Sequence, residues 1–107
     1  MPNNYKNAKL DLTTTDATVL YTCPAATTAL VKSILASEDS GNADTLTVTI
    51  TDADAAVFSL FKVKAVGANT TVELLTEPLV VQENEILTLT AATANRLHVV
   101  ASLLEIN

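Results

Sequence analysis

The sequence contains no tryptophan, one cysteine, one histidine, two glycines and only six basic residues among its 107 positions. Each shortage closes a class of explanation. A lone thiol, Cys23, cannot build an intrachain disulfide framework and fits assembly in a reducing cytosol. Zinc needs three or four converging ligands, which one Cys and one His do not supply, so no metal and no other cofactor is expected. His98 is the sole imidazole, and no Ser or Cys nucleophile stands in a recognisable motif with an orienting acid. The expectation is a protein that is not an enzyme. A net charge of -6 and a pI near 4.4 argue against a phosphate backbone, and Lys6, Lys9, Lys32, Lys62, Lys64 and Arg96 form no basic stripe. Nucleic acid is therefore not an expected partner. No stretch approaches the about 20 apolar residues of a membrane span, and the opening Met-Pro-Asn-Asn-Tyr-Lys lacks a signal-peptide core. A soluble chain with no membrane partner and no export signal is expected. Sugars stack on flat rings, and only Tyr5, Tyr21, Phe58 and Phe61 are available, so a glycan-binding sandwich is the disfavoured alternative.

What the chain does have is hydrophobic residues at 49% and charged residues at only 17%. Much of its exterior must be Thr, Ser, Ala and Asn, or apolar groups covered by another subunit. Residues 45–51, T-L-T-V-T-I-T, alternate strictly and predict a strand with Leu46, Val48 and Ile50 on its buried face. Residues 85–90, E-I-L-T-L-T, predict another, with Leu87 and Leu89 inward. Turn residues recur about every ten positions, the spacing of a sandwich or barrel. Strands are expected near 7–12, 18–22, 27–36, 44–51, 56–64, 70–75, 79–81, 85–91 and 96–106. The predicted fold is all-β: one β-sandwich domain over residues 1–107, jelly-roll-like, with eight to nine short antiparallel strands. Residues 1–7 are expected to form an extended N-terminal arm able to pair with a neighbour. Residues 57–64 and 97–104 also satisfy helical spacing, but their β-branched and aromatic content favours strands.

Two segments are apolar on both faces. In the last, Leu97, Val99, Ala101 and Leu103 lie on one side, and Val100, Leu104 and Ile106 on the other beside His98. In residues 27–36, Val31 and Leu35 lie on one side and Leu30 and Ile34 around Lys32 on the other. One face of each is core, and the other needs a cover from outside a two-layer domain. Leu30, Lys32, Ile34, His98, Val100, Leu104 and Ile106 are thus the candidate subunit interface, in a closed dimer or trimer. The acidic loops carrying Glu38, Asp39, Asn42 and Asp44, and Asp52 and Asp54, match no EF-hand pattern and read as solvated turns rather than a calcium site.

Residues 19–34, V-L-Y-T-C-P-A-A-T-T-A-L-V-K-S-I, resemble the opening T-x-L-Y-T-x-P-A-G-x-T-A-x-V-K-S-I of small tailed-bacteriophage virion proteins. Their later N-T-T-V-E-L-L, P-L-V-L and G-D-x-L pattern is echoed at residues 69–75, 78–81 and 85–87. The resemblance implies a jelly-roll capsid decoration (cement) protein on the virion surface, assembled in the host cytoplasm. It further implies a homotrimer bridging major capsid protein subunits, with no catalytic residues. The same resemblance extends to tail, fibre and head-spike subunits. Two departures stand out: Ala26 replaces the turn glycine, and Asn84-Glu85 replaces Gly-Asp. Both disfavour a tight left-handed turn.

Overall fold

A computed structural model describes residues 3–107. They form nine strands: β1 (Asn3–Asp11), β2 (Thr18–Thr22), β3 (Thr28–Glu38), β4 (Asp44–Thr51), β5 (Val57–Val66), β6 (Thr71–Glu73), β7 (Leu79–Val81), β8 (Ile86–Ala91) and β9 (Leu97–Ile106). All pairings are antiparallel, and the described residues contain no helix. The ambiguous segments of β5 and β9 are strands, because tertiary pairing on β4 and β3 satisfies their backbones in the ladder. Residues 3–7 of the expected arm belong to β1 and pair with β9 of the same chain, Asn3 opposite Ile106; Met1 and Pro2 lie outside the described residues.

The pairings nest. β1 joins β9, β2 joins β8, β3 joins β6 and β7, and β4 joins β5. A long hairpin turning between β4 and β5 is in effect rolled up, giving one sheet ordered β1-β9-β3-β6, with β7 also on β3, and a second ordered β2-β8-β4-β5. This is the jelly-roll arrangement of two packed sheets. The core between them is built by the alternation visible in the sequence. Leu46 and Val48 of β4, Leu87, Leu89 and Ala91 of β8, and Leu97, Val99, Ala101 and Leu103 of β9 are all buried. At about 25 cal/mol per Å² of apolar surface removed from water, each buried leucine contributes about 2 kcal/mol.

β3 departs from simple alternation. Its register on β9 shifts between Val31 and Ser33, so Lys32 is the extra residue of a bulge. A bulge reverses which parity points inward. Val31, Ile34 and Ala36 are all fully buried, whereas Leu35 is exposed. Ile34 therefore belongs to the domain's own core, and the expectation that it faces outward with Leu30 is corrected.

The left-handed turns survive without glycine. Ala26 has φ 57° and Asn84 has φ 65°, at the two positions where the resembling family carries Gly. The turn at Ala26 is held by its N–H donating to Glu83 Oε2 at 2.6 Å. Asn84 donates its N–H to the Cys23 carbonyl at 2.9 Å, and Cys23 donates to the Glu85 carbonyl at 2.9 Å. Val63 also has positive φ, 55°, where two residues of β5 oppose one of β4. A β-branched residue is a poor choice there, since such bulges favour glycine.

Candidate functional site

The outward face of the five-stranded sheet is where the expected interface residues meet. Cross-strand register arranges them in rows. Tyr5, Leu104, Leu30 and Val80 form one row across β1, β9, β3 and β7. Lys9, Val100, Leu35 and Glu73 form a second, and Asn7, Ser102 and Ser33 lie between them. Ile106 with Thr28 flanks one end, and His98 with Asp11 and Ser37 the other. Leu30, Lys32, His98, Val100, Leu104 and Ile106 all lie on this side, exposed or half-buried, and only Ile34 does not.

Three apolar members escaped the sequence reading. Tyr5 is 75% exposed, Val80 51% and Leu35 39%. Leu35 was displaced by the bulge. The alternation of Leu79, Val80 and Val81 held the signal for Val80, since the flanking residues point inward. Lys32 reaches over β9 from β3, placing Nζ 5.7 Å from the Tyr5 ring centroid, a cation-π contact that holds both side chains over the sheet. A depression of about 330 Å³ lies beside them, lined by Tyr5, Lys6, Asn7, Lys32, Ser102 and Leu103. Val57, Phe58 and Val63 of edge strand β5 are further exposed apolar residues. Of the two phenylalanines, Phe61 packs against the core and Phe58 is 55% exposed.

The titratable groups act as structural ties. His98 Nε2 is 3.2 Å from Asp11 Oδ1, and its Nδ1 is 3.5 Å from Asp39 Oδ2, at the solvent-exposed end of the face. Cys23 is fully buried, with its thiol donating to the Thr27 carbonyl at 3.3 Å, and burial pushes its pKa up. A thiol so placed is a poor nucleophile.

The acidic loop after β3 is solvated from Asp39 to Ala43, but the two carboxylates that flank it are buried. Glu38 is 2% exposed and Asp44 7%. Glu38 accepts the N–H groups of Ser40, Gly41 and Asn69 and the Ser40 hydroxyl, tying the β3–β4 loop to the β5–β6 loop. Burial is the largest single influence and opposes ionisation, but these hydrogen bonds together outweigh it and lower the Glu38 pKa to about 2. Asp44 accepts the Thr93 N–H at 3.1 Å. Glu73 receives the Ser33 hydroxyl and the N–H groups of Ile34 and Leu75, which lower its pKa against the opposing effect of burial. Among the described residues, no group of three or more His, Cys, Asp or Glu converges as metal ligands would.

A further tie joins the two sheets. Tyr21 donates its hydroxyl to Glu105 Oε2 at 2.5 Å, and Lys6 Nζ lies 3.5 Å from the same oxygen. Glu105 is only 6% exposed, and burial followed by the Glu105 contact drives the Tyr21 pKa upward.

No protein-family model matches the chain, and no curated protein matches it significantly. Among solved structures, a chain in the structure of infectious bursal disease virus, Gt strain, aligns with a TM-score of 0.43 and 7% identity. The alignment covers 98% of this chain and 30% of the viral one, so the protein spans about a third of its length.

Proposed function

We propose that this protein is a structural component of a bacteriophage virion, a capsid decoration (cement) protein that self-associates and bridges major capsid protein subunits on the head surface. The observation that carries the reading is the outward face of the five-stranded sheet. Tyr5, Leu30, Leu35, Val80, Val100, Leu104 and Ile106 leave an apolar surface open to water on a chain whose inner core is already complete. Apolar rows left exposed on either side of a polar centre are characteristic of a protein contact. The sequence motifs at residues 19–34 and 69–87 supply the direction toward small phage virion proteins. The mechanism is mechanical: a clip touching several subunits couples their release, and weak contacts combine into strong avidity when geometry permits simultaneous engagement.

Copy number on native particles tests the assignment. Hundreds of copies per particle are expected, and particles stripped of the protein should rupture at lower temperature. A few to tens of copies would move the protein to a tail, fibre or head spike, and unchanged rupture temperature would remove the cement role.

A further inference from the structure

The outward face of the five-stranded sheet has a repeating order along each strand. On β9 it runs His98, Val100, Ser102, Leu104, Ile106, with the small residue at the centre. On β3 the corresponding positions are Leu35, Ser33 and Leu30, with the exposed, bulged Lys32 standing between the last two and unmatched at the other end, and on β1 they are Lys9, Asn7 and Tyr5. Lys32 apart, the order read from either end is larger side chain, small or polar centre, larger side chain. The centre is also where the depression lined by Asn7 and Ser102 lies.

We infer that this face pairs with the same face of a second copy about a two-fold axis that lies between the two faces and runs along the Asn7–Ser102–Ser33 row. That operation reverses position along each strand and keeps like strand over like strand. Leu104 is carried over Val100 of the second copy, and Leu30 over Leu35. Tyr5, whose ring already holds Lys32 of its own chain, comes over Lys9 of the second copy, the one place where the pairing brings like charges near each other. Asn3 comes over Asp11, pairing an amide donor with a carboxylate, and Ile106 over His98. Val80 meets Glu73 only at the margin, where solvent reaches both. An isologous interface requires this self-complementarity, each residue meeting a counterpart that meets it in return. A patch shaped for an unrelated partner has no reason to be palindromic.

The extent is sufficient. Four strand positions at about 4.8 Å spacing and about 30 Å of strand length give roughly 600 Å² per copy. The total of roughly 1,200 Å² sits at the lower bound for stable specific interfaces. This pairing rests on the self-association part of the proposed function but differs from the trimer that the family resemblance implies.

The test is light scattering of the purified full chain during size-exclusion chromatography. A dimer, twice the 11.3 kDa chain, is expected. Ser102 lies on the axis, so Ser102→Asp or Ser102→Lys places like charges against each other, and each variant alone should run as a monomer. An equimolar mixture of the two should regain the dimer mass. Asn7→Asp and Asn7→Lys, at another exposed position of the same row, form a second pair that decides the matter should circular dichroism show either Ser102 variant misfolded. A monomeric or trimeric wild type, single variants that stay dimeric, or a mixture that stays monomeric would each overturn the two-fold pairing. A trimer would leave the virion reading intact, whereas a dimer absent from particles would remove that reading and leave the pairing standing.

Discussion

Replacing Tyr21 with phenylalanine removes one oxygen from the tie between the two sheets. The lost contact is a 2.5 Å hydrogen bond from the Tyr21 hydroxyl to Glu105, between residues 8% and 6% exposed. Hydrogen bonds to charged groups contribute about 1.5–3 kcal/mol. Glu105 keeps Lys6 at 3.5 Å, but that ammonium is half exposed, and a screened pair of this kind contributes only about 0–1 kcal/mol. The net expectation for Tyr21→Phe is a loss of about 2 kcal/mol. With an unfolding entropy of about 2.1 cal/mol/K per residue, this corresponds to a fall in Tm of about 9 °C. Removing the carboxylate as well, in Tyr21→Phe with Glu105→Leu, should recover much of the loss, because no buried charge is then left short of partners.

The alkaline limb carries a second signature of the same tie. The Tyr21 pKa is raised in the folded protein, so above about pH 10 the unfolded chain releases its phenolic proton while the folded chain keeps it. Stability from this group is complete below pH 10 and declines as pH rises. The raised Cys23 pKa acts with the same sign, from about pH 9. Calorimetry from pH 7 to pH 11, at one fixed protein concentration because self-association also shifts Tm, should show Tyr21→Phe less stable at neutral pH and less steeply destabilised above pH 10. A variant within 2 °C of wild type at pH 7, with an unchanged alkaline slope, would refute the reasoning.

Two further substitutions probe the backbone and the loop hub. Val63→Gly relieves a left-handed conformation at a residue 59% exposed, and should raise Tm by about 4 °C, from about 1 kcal/mol of strain; a lower Tm would show that the side chain's contacts matter more than its backbone. Glu38 titrates at about 2 in the folded state against 4.5 as a reference, so its stabilisation is present above about pH 4.5 and is lost as pH falls toward 2. Glu38→Gln should flatten that acid limb of the Tm–pH curve, and a curve parallel to wild type would contradict the role assigned to the carboxylate.

How much of this was legible beforehand depended on how local the determinant was. The alternation T-L-T-V-T-I-T places Leu46 and Val48 inward regardless of neighbours, because side chains of a pleated strand alternate. The nine strands and the two-sided apolar character of β9 followed from the same period, so most of the outward face was readable too. Ile34 was misplaced because a bulge depends on what β9 offers across the ladder, and one extra residue at Lys32 inverts every later side chain. The burial of Glu38, expected in a solvated turn, and of Glu105 was hidden for a related reason. Besides the local Ser40 and Gly41, Glu38 takes a donor from Asn69, 31 positions away, and the donor to Glu105 is Tyr21, 84 positions away. Local pattern therefore decided strands, faces and the apolar excess, since these depend on neighbours along the chain. Register, the burial of charge and the palindromic order of the outward face were decided only when β1, β3 and β9 were brought side by side, because each is a relation between residues that chain order keeps apart.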